Sequence, residues 1–320
     1  MNNILITGVA GFIGSNLASR LMSENQKRDA GNRFHVIGID NLSYGLRKNV
    51  PEGVKFHKID IREKSIHELF QGVNVVFHLA AKNCISDCQL DPVETADINV
   101  TGTVNVFEAA RKAFVRKVVY AESSALYEGS PVFPTPESEI RPESFYATSK
   151  LASMNFAKVY EKFYGLNLTA LRYFCVYGPV QDYRRTVPPV MSAFIIPLLK
   201  GVPPIIYGAG QKRRDFVYVD DVNDFHLQCI EDPRTDHRTF NLGSGMNFSV
   251  LEILGLVSEL LGKRTDPIFR PDLPGEAEIT LADIREAKKL GWEPKTDIRT
   301  GLRKAIEYIK GEMAAGRIES

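Results

Sequence analysis

The 320-residue sequence contains one tryptophan and four cysteines, and it has no excess of charge of either sign, since 40 lysines and arginines face 39 aspartates and glutamates. This balance argues against a surface built to bind nucleic acid. The cysteines, Cys84, Cys88, Cys175 and Cys229, are too few for a disulfide framework, and the single CxxxC pair lacks the second pair of a zinc site. We therefore expect no metal and a reducing, cytoplasmic environment.

Long hydrophobic runs are also missing. The uncharged apolar stretch 187–199 is interrupted by three prolines and is too short for a membrane span of about 20 residues. The chain starts Met1-Asn2-Asn3 and enters an apolar strand at once, without the basic region and cleavage site of a secretory signal. The hydrophobic fraction of 44% predicts a folded protein with a sizeable core, and no membrane partner is expected.

Apolar segments alternate with helical patterns through the first half of the chain. Strands are predicted at 3–7, 35–40, 54–59, 75–79, 117–121 and 168–173, and helices at 14–23, 66–70, 92–114 and 145–164. β-Branched and aromatic strands separated by helices indicate a parallel sheet that is buried on both faces. Right-handed crossovers then make the fold α/β, with a Rossmann-type doubly wound parallel sheet.

The alternation ends after Gly178. Segments rich in proline, glycine and basic residues follow, and amphipathic helices are predicted at 250–261 and 302–310. We interpret this part as a smaller C-terminal substrate lobe that lies over the carboxyl edge of the sheet and is interleaved with it. The predicted boundaries are 1–174 with roughly 212–245 for the Rossmann domain, and 175–211 with 246–320 for the lobe.

A glycine-rich loop follows the first strand. Gly8 permits a tight turn, Gly11 lets backbone approach a pyrophosphate, and Gly14 lets the next helix pack closely, with its free N–H groups facing the phosphates. The pattern alone also fits a turn that binds nothing. Asp40, at the end of the second strand, can accept both ribose hydroxyls and repels a 2′-phosphate, which predicts NAD rather than NADP. Asp60 is expected at the adenine, unless it is simply solvated.

Tyr146 and Lys150 lie one turn apart on the predicted helix 145–164. A phenol titrates near ~10, so its pKa must fall by about 3 for it to act as a base at neutral pH. The Lys150 ammonium and an oxidised nicotinamide would both favour the phenolate. Ser123 and Ser124 follow a strand at the carboxyl edge, where ligands bind. Ser123 can relay a proton to Tyr146, although an exposed helical pair and a serine-capped turn would explain the same residues.

Taken in order, these residues resemble the extended short-chain dehydrogenase/reductase family, in particular its NAD-dependent nucleotide-sugar epimerase/dehydratase branch. The similarity covers nearly the whole chain. Its further motifs are His78-Leu79-Ala80-Ala81, Asp91-Pro92, Asn99 to Thr103, Arg172 to Phe174, Val176 to Pro179, Arg214 to Val222, Asn241 to Gly243 and Leu290 to Trp292. The resemblance implies that Tyr146 takes a proton from a sugar hydroxyl while hydride passes to NAD⁺, and that an epimerase returns the hydride to the other face.

The resemblance also implies which residues form the site, with Lys150 holding the nicotinamide ribose and lowering the pKa of Tyr146. The catalytic group is Tyr146, Lys150, Ser123 and Ser124. The expected NAD contacts are Gly8, Gly11, Phe12, Ile13, Gly14, Asp40, Asn41, Asp60, Ile61, Leu79, Ala80, Ala81, Asn99, Tyr146, Lys150 and Tyr173. The expected contacts to a nucleotide-diphosphate sugar are Cys84, Ser123, Cys175, Arg214 and Arg270.

The choice of reaction depends on the residues after Ser123. The dehydratase branch has an Asp and a Glu there, whereas this chain has Ser124 and Ala125, which cannot act as acid or base in an elimination. This favours an epimerase, acting at C4 of a UDP-hexose or UDP-N-acetylhexosamine. A dehydratase of the same family and a non-catalytic NAD-binding regulator remain alternatives. Glu122 is expected to face away from the site because side chains alternate along a strand.

Three departures from the family pattern affect the substrate end. Cys175 replaces an asparagine, Cys84 a serine and Leu273 an arginine that usually binds phosphate. Either other arginines hold the diphosphate or the substrate is unusual. The candidate arginines are Arg184, Arg185, Arg214 and Arg270.

The resemblance further implies a homodimer. The helices predicted at 92–114 and 145–164 carry apolar residues on more than one side. In the family such helices pair with their copies in a four-helix bundle. Burial within a single chain would explain the same pattern.

Overall fold

The computed structural model describes residues 2–185, 187–272 and 275–319. The strands are β1 (Asn2–Thr7), β2 (Phe34–Asp40), β3 (Lys55–Lys58), β4 (Val75–His78), β5 (Lys117–Ser123), β6 (Leu168–Tyr173), β7 (Cys175–Tyr177), β8 (Ile205–Tyr207), β9 (Arg213–Tyr218), β10 (Thr239–Leu242), β11 (Asn247–Ser249) and β12 (Ile268–Arg270). The α-helices are α1 (Phe12–Asn25), α2 (Ile85–Leu90), α3 (Pro92–Ala96), α4 (Thr103–Lys112), α5 (Phe145–Tyr164), α6 (Val190–Lys200), α7 (Val219–Glu231), α8 (Val250–Leu261), α9 (Arg285–Lys288) and α10 (Ile298–Ala314).

Seven strands form one parallel sheet in the order β10-β6-β5-β4-β1-β2-β3. Every residue of β4 and β6 is buried, which explains why apolar residues in these strands do not alternate with exposed polar ones. The predicted doubly wound α/β fold is therefore confirmed. The strand order reverses at β1, which lies between β2 and β4, and the crevice outside such a reversal is where open α/β sheets bind ligands.

Helices cover both faces of this sheet because its side chains alternate between two apolar cores. Ile4 and Ile6 of β1 pack in one core with Leu17 of α1 and Phe225 of α7. Leu5 packs on the opposite face, in the core that contains α4 and α5. With both faces covered, only the edges and the strand ends remain for a binding site.

A third core belongs to the smaller lobe. It joins β9 to helices α6, α8 and α10, and it is centred on fully buried residues such as Phe194, Ile253 and Leu302. β9 pairs with β7 and β11, while the following helix α7 and strand β10 pack with the main sheet. The chain therefore passes between the two parts more than once, and the boundaries given above stay a prediction.

The predicted helix 92–114 is interrupted in the structure. A π-helical turn, Asp97–Gly102, joins α3 to α4. Gly102 lies against Ile61, where an added Cβ would come within 2.6 Å of the Ile61 side chain. The wide turn is invisible to a periodicity argument because it inserts a residue without breaking the helical rod. Within the described ranges, no helix is long and apolar enough to cross a membrane.

Candidate active site

A cavity of about 430 Å³ opens at the carboxyl ends of β1, β2, β4 and β5. The glycine loop and the ends of these strands form its floor, the start of α5 forms one wall, and segments of the lobe form the other. It lies at the position where the strand order reverses. The topology thus places the site where the sequence predicted it.

The glycine loop leaves one end of the cavity open to a bulky group. Gly8 has a φ of +73°, and an added Cβ there would lie 2.8 Å from the Ala80 backbone nitrogen. A Cβ on Gly14 would overlap the carbonyl oxygen of Gly8, whereas one on Gly11 would meet only that oxygen, at 3.3 Å. No described side chain caps α1, so its first N–H groups are available beside Phe12. This open cradle at a helix N-terminus fits the pyrophosphate of a dinucleotide.

Asp40 lies at the end of β2 and lines the cavity. Its carboxylate accepts hydrogen bonds from the backbone N–H groups of Ala10 (3.0 Å) and Leu42 (2.7 Å). Burial raises its pKa, and these two bonds oppose the rise. The side chain is therefore held in one orientation at the place expected for ribose hydroxyls.

Asp60, which follows β3, is a structured part of the wall rather than a solvated turn residue. Its carboxylate accepts hydrogen bonds from Asn41 Nδ2 at 2.8 Å and from Arg62 Nε and Nη2 at 2.9 and 2.8 Å. The bonds from Arg62 lower the pKa of Asp60 to about 2. Asn41, Asp60 and Ile61 all line the cavity.

Leu79, Ala80, Ala81 and Tyr173 line the cavity as expected, but Asn99 does not. Asn99 is 1% exposed. Its amide accepts from the Lys82 N–H (2.8 Å) and donates to the Lys82 carbonyl (2.9 Å) and to Ser149 Oγ (2.9 Å). It lies behind the wall, where it fastens the loop after β4 to α5.

Tyr146, Lys150 and Ser123 come together at the centre of the cavity. The side chain of Ser123 lies close enough to Tyr146 to lower the pKa of the phenol. Lys150 Nζ donates to the carbonyl oxygen of Ala121 at 2.9 Å and lies 5.9 Å from the centre of the Tyr146 ring. Ser124 also lines the cavity, at the start of the turn that follows β5. The predicted catalytic group is thus one cluster in space.

The pKa of the phenol differs from the expectation. Burial raises the pKa of Tyr146 to about 12, and Ser123 opposes this only in part. Burial lowers the pKa of Lys150 to about 8, with the Glu122 charge acting against it. Burial therefore dominates the titration of both groups, and the lowering of the Tyr146 pKa that was expected from Lys150 is not seen in the protein alone.

Glu122 borders the cavity between Ala121 and Ser123, but its carboxylate is buried in the protein interior. Its carboxylate accepts hydrogen bonds from the Tyr120 hydroxyl at 2.7 Å and from Arg172 Nε at 2.6 Å. The Glu122 side chain is fully buried in this ion pair. It is engaged in a structural contact and is not available as a base for the substrate.

The substrate residues are divided between the cavity and its surroundings. Cys175 and Arg214 line it, whereas Cys84 and Arg270 do not. Cys84 precedes α2 and places its Sγ 3.1 Å from Ser86 Oγ. Arg270 is exposed on β12, which forms a two-stranded sheet with β8 in the described part of the lobe. Leu273 lies outside the described residues.

Other cavity residues were missed by the sequence argument. One of them, Ile85, begins α2. The others come from irregular loops in which no periodicity indicates direction, and they are Ser43, Tyr44, Gly45, Lys82, Asn83, Glu128, Gln181, Asp182, Glu276 and Thr280. Arg184 and Arg185 were candidates of equal standing, and only Arg185 lines the cavity. In the sequence, only the basic residues after Gly178 indicated that the loop of Arg184 and Arg185 contributes to the site.

This fold and this site belong to a known class of enzymes. The sequence profile described as the NAD dependent epimerase/dehydratase family matches residues 4–243, and the chain belongs to that family. NAD is accordingly its cofactor, and the alternative of a non-catalytic regulator is set aside.

Its relatives include several sugar-nucleotide epimerases. A Methanocaldococcus jannaschii protein with the provisional name UDP-glucose 4-epimerase is 36% identical, over 96% of this chain and 98% of that protein. A UDP-glucuronate 4-epimerase of Thermodesulfobacterium geofontis is 33% identical over 97% of each chain. The crystal structure of the Thermotoga maritima UDP-glucose 4-epimerase with UDP-glucose superimposes with a TM-score of 0.91 at 33% identity, over 97% of this chain and 99% of that one.

Proposed function

We propose that the protein interconverts the C4 epimers of a UDP-hexose or UDP-N-acetylhexosamine. The observation that carries the proposal is the meeting of Tyr146, Ser123 and Lys150 beside an open dinucleotide cradle. Relatives named for UDP-glucose and UDP-glucuronate 4-epimerisation support the reaction class. When bound, NAD supplies a reversible acceptor for the hydride of the sugar carbon.

In this proposal, residues of the protein orient the C4 hydroxyl of the sugar and remove its proton. Tyr146 accepts the proton of the C4 hydroxyl. Ser123 hydrogen-bonds the oxygen of that hydroxyl and can relay its proton to Tyr146. Lys150 uses one of its three N–H donors on the Ala121 carbonyl, which leaves two for a ribose hydroxyl of the cofactor. Burial keeps the phenol protonated in the protein alone. We therefore infer that Tyr146 becomes basic only when the positive charge of the oxidised nicotinamide lies beside it.

The positions after Ser123 favour epimerisation over dehydration. Ser124 and Ala125 stand at the places of the acid and base. Glu128 also lines the cavity, but its oxygens accept from the N–H groups of Glu143 (3.0 Å) and Ser144 (2.8 Å) and from Ser144 Oγ (2.9 Å). A carboxylate occupied in this way is poorly placed to remove a sugar proton. Epimerisation is therefore the favoured reaction.

We also propose a homodimer and a cytoplasmic location. Phe156, Val159 and Phe163 on α5 are exposed in the single chain, and so is Val93 on the neighbouring α3. Four such side chains on adjacent helices would be covered if two copies packed these helices together. All four cysteines are free, which is typical of a reducing compartment.

The reaction is tested with UDP-glucose, UDP-galactose and their N-acetylated forms, with the products analysed by mass spectrometry and NMR. An epimer has the mass of its substrate. A product lighter by one water identifies a dehydratase and contradicts the proposal. Sedimentation of the purified protein at several concentrations tests the dimer.

A further inference from the structure

Arg185 lines the cavity and carries a buried N–H donor that has no hydrogen-bond acceptor among the described residues. It lies on the lobe side of the cavity, and its side chain is 22% exposed. Its Nη2 donates to Asn83 Oδ1 at 2.8 Å, which is a neutral acceptor. Its Nε is buried and makes no hydrogen bond to any described residue. The nearest carboxylate oxygen, Asp182 Oδ2, is 3.7 Å from Nε.

The neighbouring arginine takes up that carboxylate. Arg184 Nε donates to Asp182 Oδ1 at 2.8 Å, and the Arg184 backbone N–H donates to the same oxygen at 3.1 Å. Arg184 Nη2 also reaches the carbonyl oxygen of Tyr44. Asp182 is thus hydrogen-bonded to Arg184 and makes only the longer 3.7 Å ion-pair contact with Arg185, whose Nε–H donor stays unused. A buried donor without an acceptor is destabilising, and an anion in the cavity would supply the missing acceptor.

The Arg185 charge is within electrostatic reach of the Tyr146 end of the cavity. The residue it bonds, Asn83, directly follows Lys82, in the loop that Asn99 fastens to Ser149 of α5. Burial raises the pKa of Tyr146 to about 12, and the positive charge of Arg185 is among the smaller effects that lower it. The other cavity arginine, Arg214, lies on β9, with its Nη2 3.5 Å from Glu276 Oε2. The two cations are therefore held by different parts of the wall.

The chemistry of a pyranose decides which anion each cation can meet. The diphosphate is attached to C1, across the ring from C4. The C6 substituent is attached to C5, the neighbour of C4. A cation close to the tyrosine that acts on C4 therefore faces the C6 group rather than the diphosphate.

We propose that Arg185 binds a carboxylate on the sugar, so that the preferred substrates are nucleotide-linked uronic acids. This inference rests on the proposed C4 epimerisation. In it, Arg185 supplies a charge-assisted hydrogen bond to the C6 carboxylate, and the hydroxymethyl group of a neutral hexose leaves the same donor poorly satisfied. Arg214 remains the candidate for the diphosphate.

The test compares UDP-glucuronate with UDP-glucose, which differ only at C6. For the NAD-loaded wild type we expect kcat/KM to be higher for UDP-glucuronate by on the order of 10- to 100-fold. Arg185→Gln should lose that preference by lowering kcat/KM for UDP-glucuronate alone, and Arg185→Lys should keep part of it. Arg299→Gln, which removes an exposed arginine paired with Glu259, is the matched control and should change neither value.

Binding measurements separate this inference from the proposed function. The dissociation constants of both sugars are measured by calorimetry on the same variants. If neither sugar is epimerised but Arg185→Gln abolishes a tighter binding of UDP-glucuronate, the proposed reaction fails and the role of Arg185 stands. A wild type that prefers UDP-glucose overturns the inference. An equal loss for both sugars in Arg185→Gln also overturns it, because Arg185 would then bind the diphosphate.

Discussion

Lys150 Nζ lies 2.9 Å from the carbonyl oxygen of Ala121, the last apolar residue of β5 before the serine pair. This bond ties the side chain of α5 to the end of a central strand. It fixes the ammonium group near the Tyr146 ring, at 5.9 Å from the ring centre. The sheet thus fixes the position of the Lys150 ammonium group, although a lysine side chain is otherwise flexible.

Tyr146→Phe tests the proton acceptor. We expect kcat to fall by about 10²- to 10⁴-fold, because the variant lacks the group that transfers the proton. NAD binding should remain, since the ring and its packing are kept. Turnover is measured by NMR on the preferred sugar nucleotide, and NAD content is measured after denaturation of the protein. Unchanged turnover would mean that another group removes the proton.

The titration of Lys150 makes the stability of the NAD-free protein depend on pH. Burial lowers its pKa to about 8 from an ordinary 10.5. Between about pH 8 and pH 10 the unfolded chain therefore holds a proton that the folded chain has released, and the free energy of unfolding rises with pH. Lys150→Gln removes this rise. Urea denaturation at several pH values measures it, and equal slopes in both proteins would contradict the lowered pKa.

Two glycine-to-alanine changes separate a steric requirement from helix propensity. Gly14→Ala places a Cβ on the carbonyl oxygen of Gly8, so we expect several-fold weaker NAD binding and a loss of stability. Gly255→Ala lies on the exposed side of α8 with no described atom within 4 Å of the new Cβ, and it should stabilise the protein by about 0.5–1 kcal/mol. Calorimetric NAD titration and thermal unfolding compare them. A Gly14→Ala protein that binds NAD normally would refute the close packing.

Glu312 on α10 joins the two loops that border the cavity. Its carboxylate accepts from Lys48 Nζ (2.6 Å), Tyr183 Oη (3.0 Å) and Arg317 Nη2 (2.6 Å). These bonds, that from Arg317 first, lower the pKa of Glu312 to about 2. Its contribution is therefore present above its ordinary pKa of 4.5 and is lost as the pH falls from 4.5 toward 2.

Glu312→Gln should consequently cost about 1–3 kcal/mol at neutral pH. We also expect it to raise KM more than it lowers kcat, because it loosens Tyr183 and the loop of Lys48 without touching the reacting cluster. Glu307→Gln, an exposed residue of the same helix paired with Lys310, is the control. A variant with wild-type stability and KM would show that the three contacts contribute nothing measurable.

Local sequence determined much of this protein. Buried strands favour runs of mainly apolar residues, and glycines at 8 and 14 allow a sterically closed turn. A Tyr and a Lys four residues apart must share a helix face. These constraints act over a few residues, so the sheet, the cradle and the pair on α5 could be predicted from the chain alone.

Only the tertiary structure decided how groups distant in sequence meet. Asn99 lies behind the wall because a π-helical turn directs its amide to Lys82. Arg185 enters the cavity while Arg184 remains outside, a choice made by the path of an irregular loop. The pKa of Tyr146 rises because neighbouring segments exclude water from it. Burial and loop direction depend on the whole packed chain, so no local pattern could determine them.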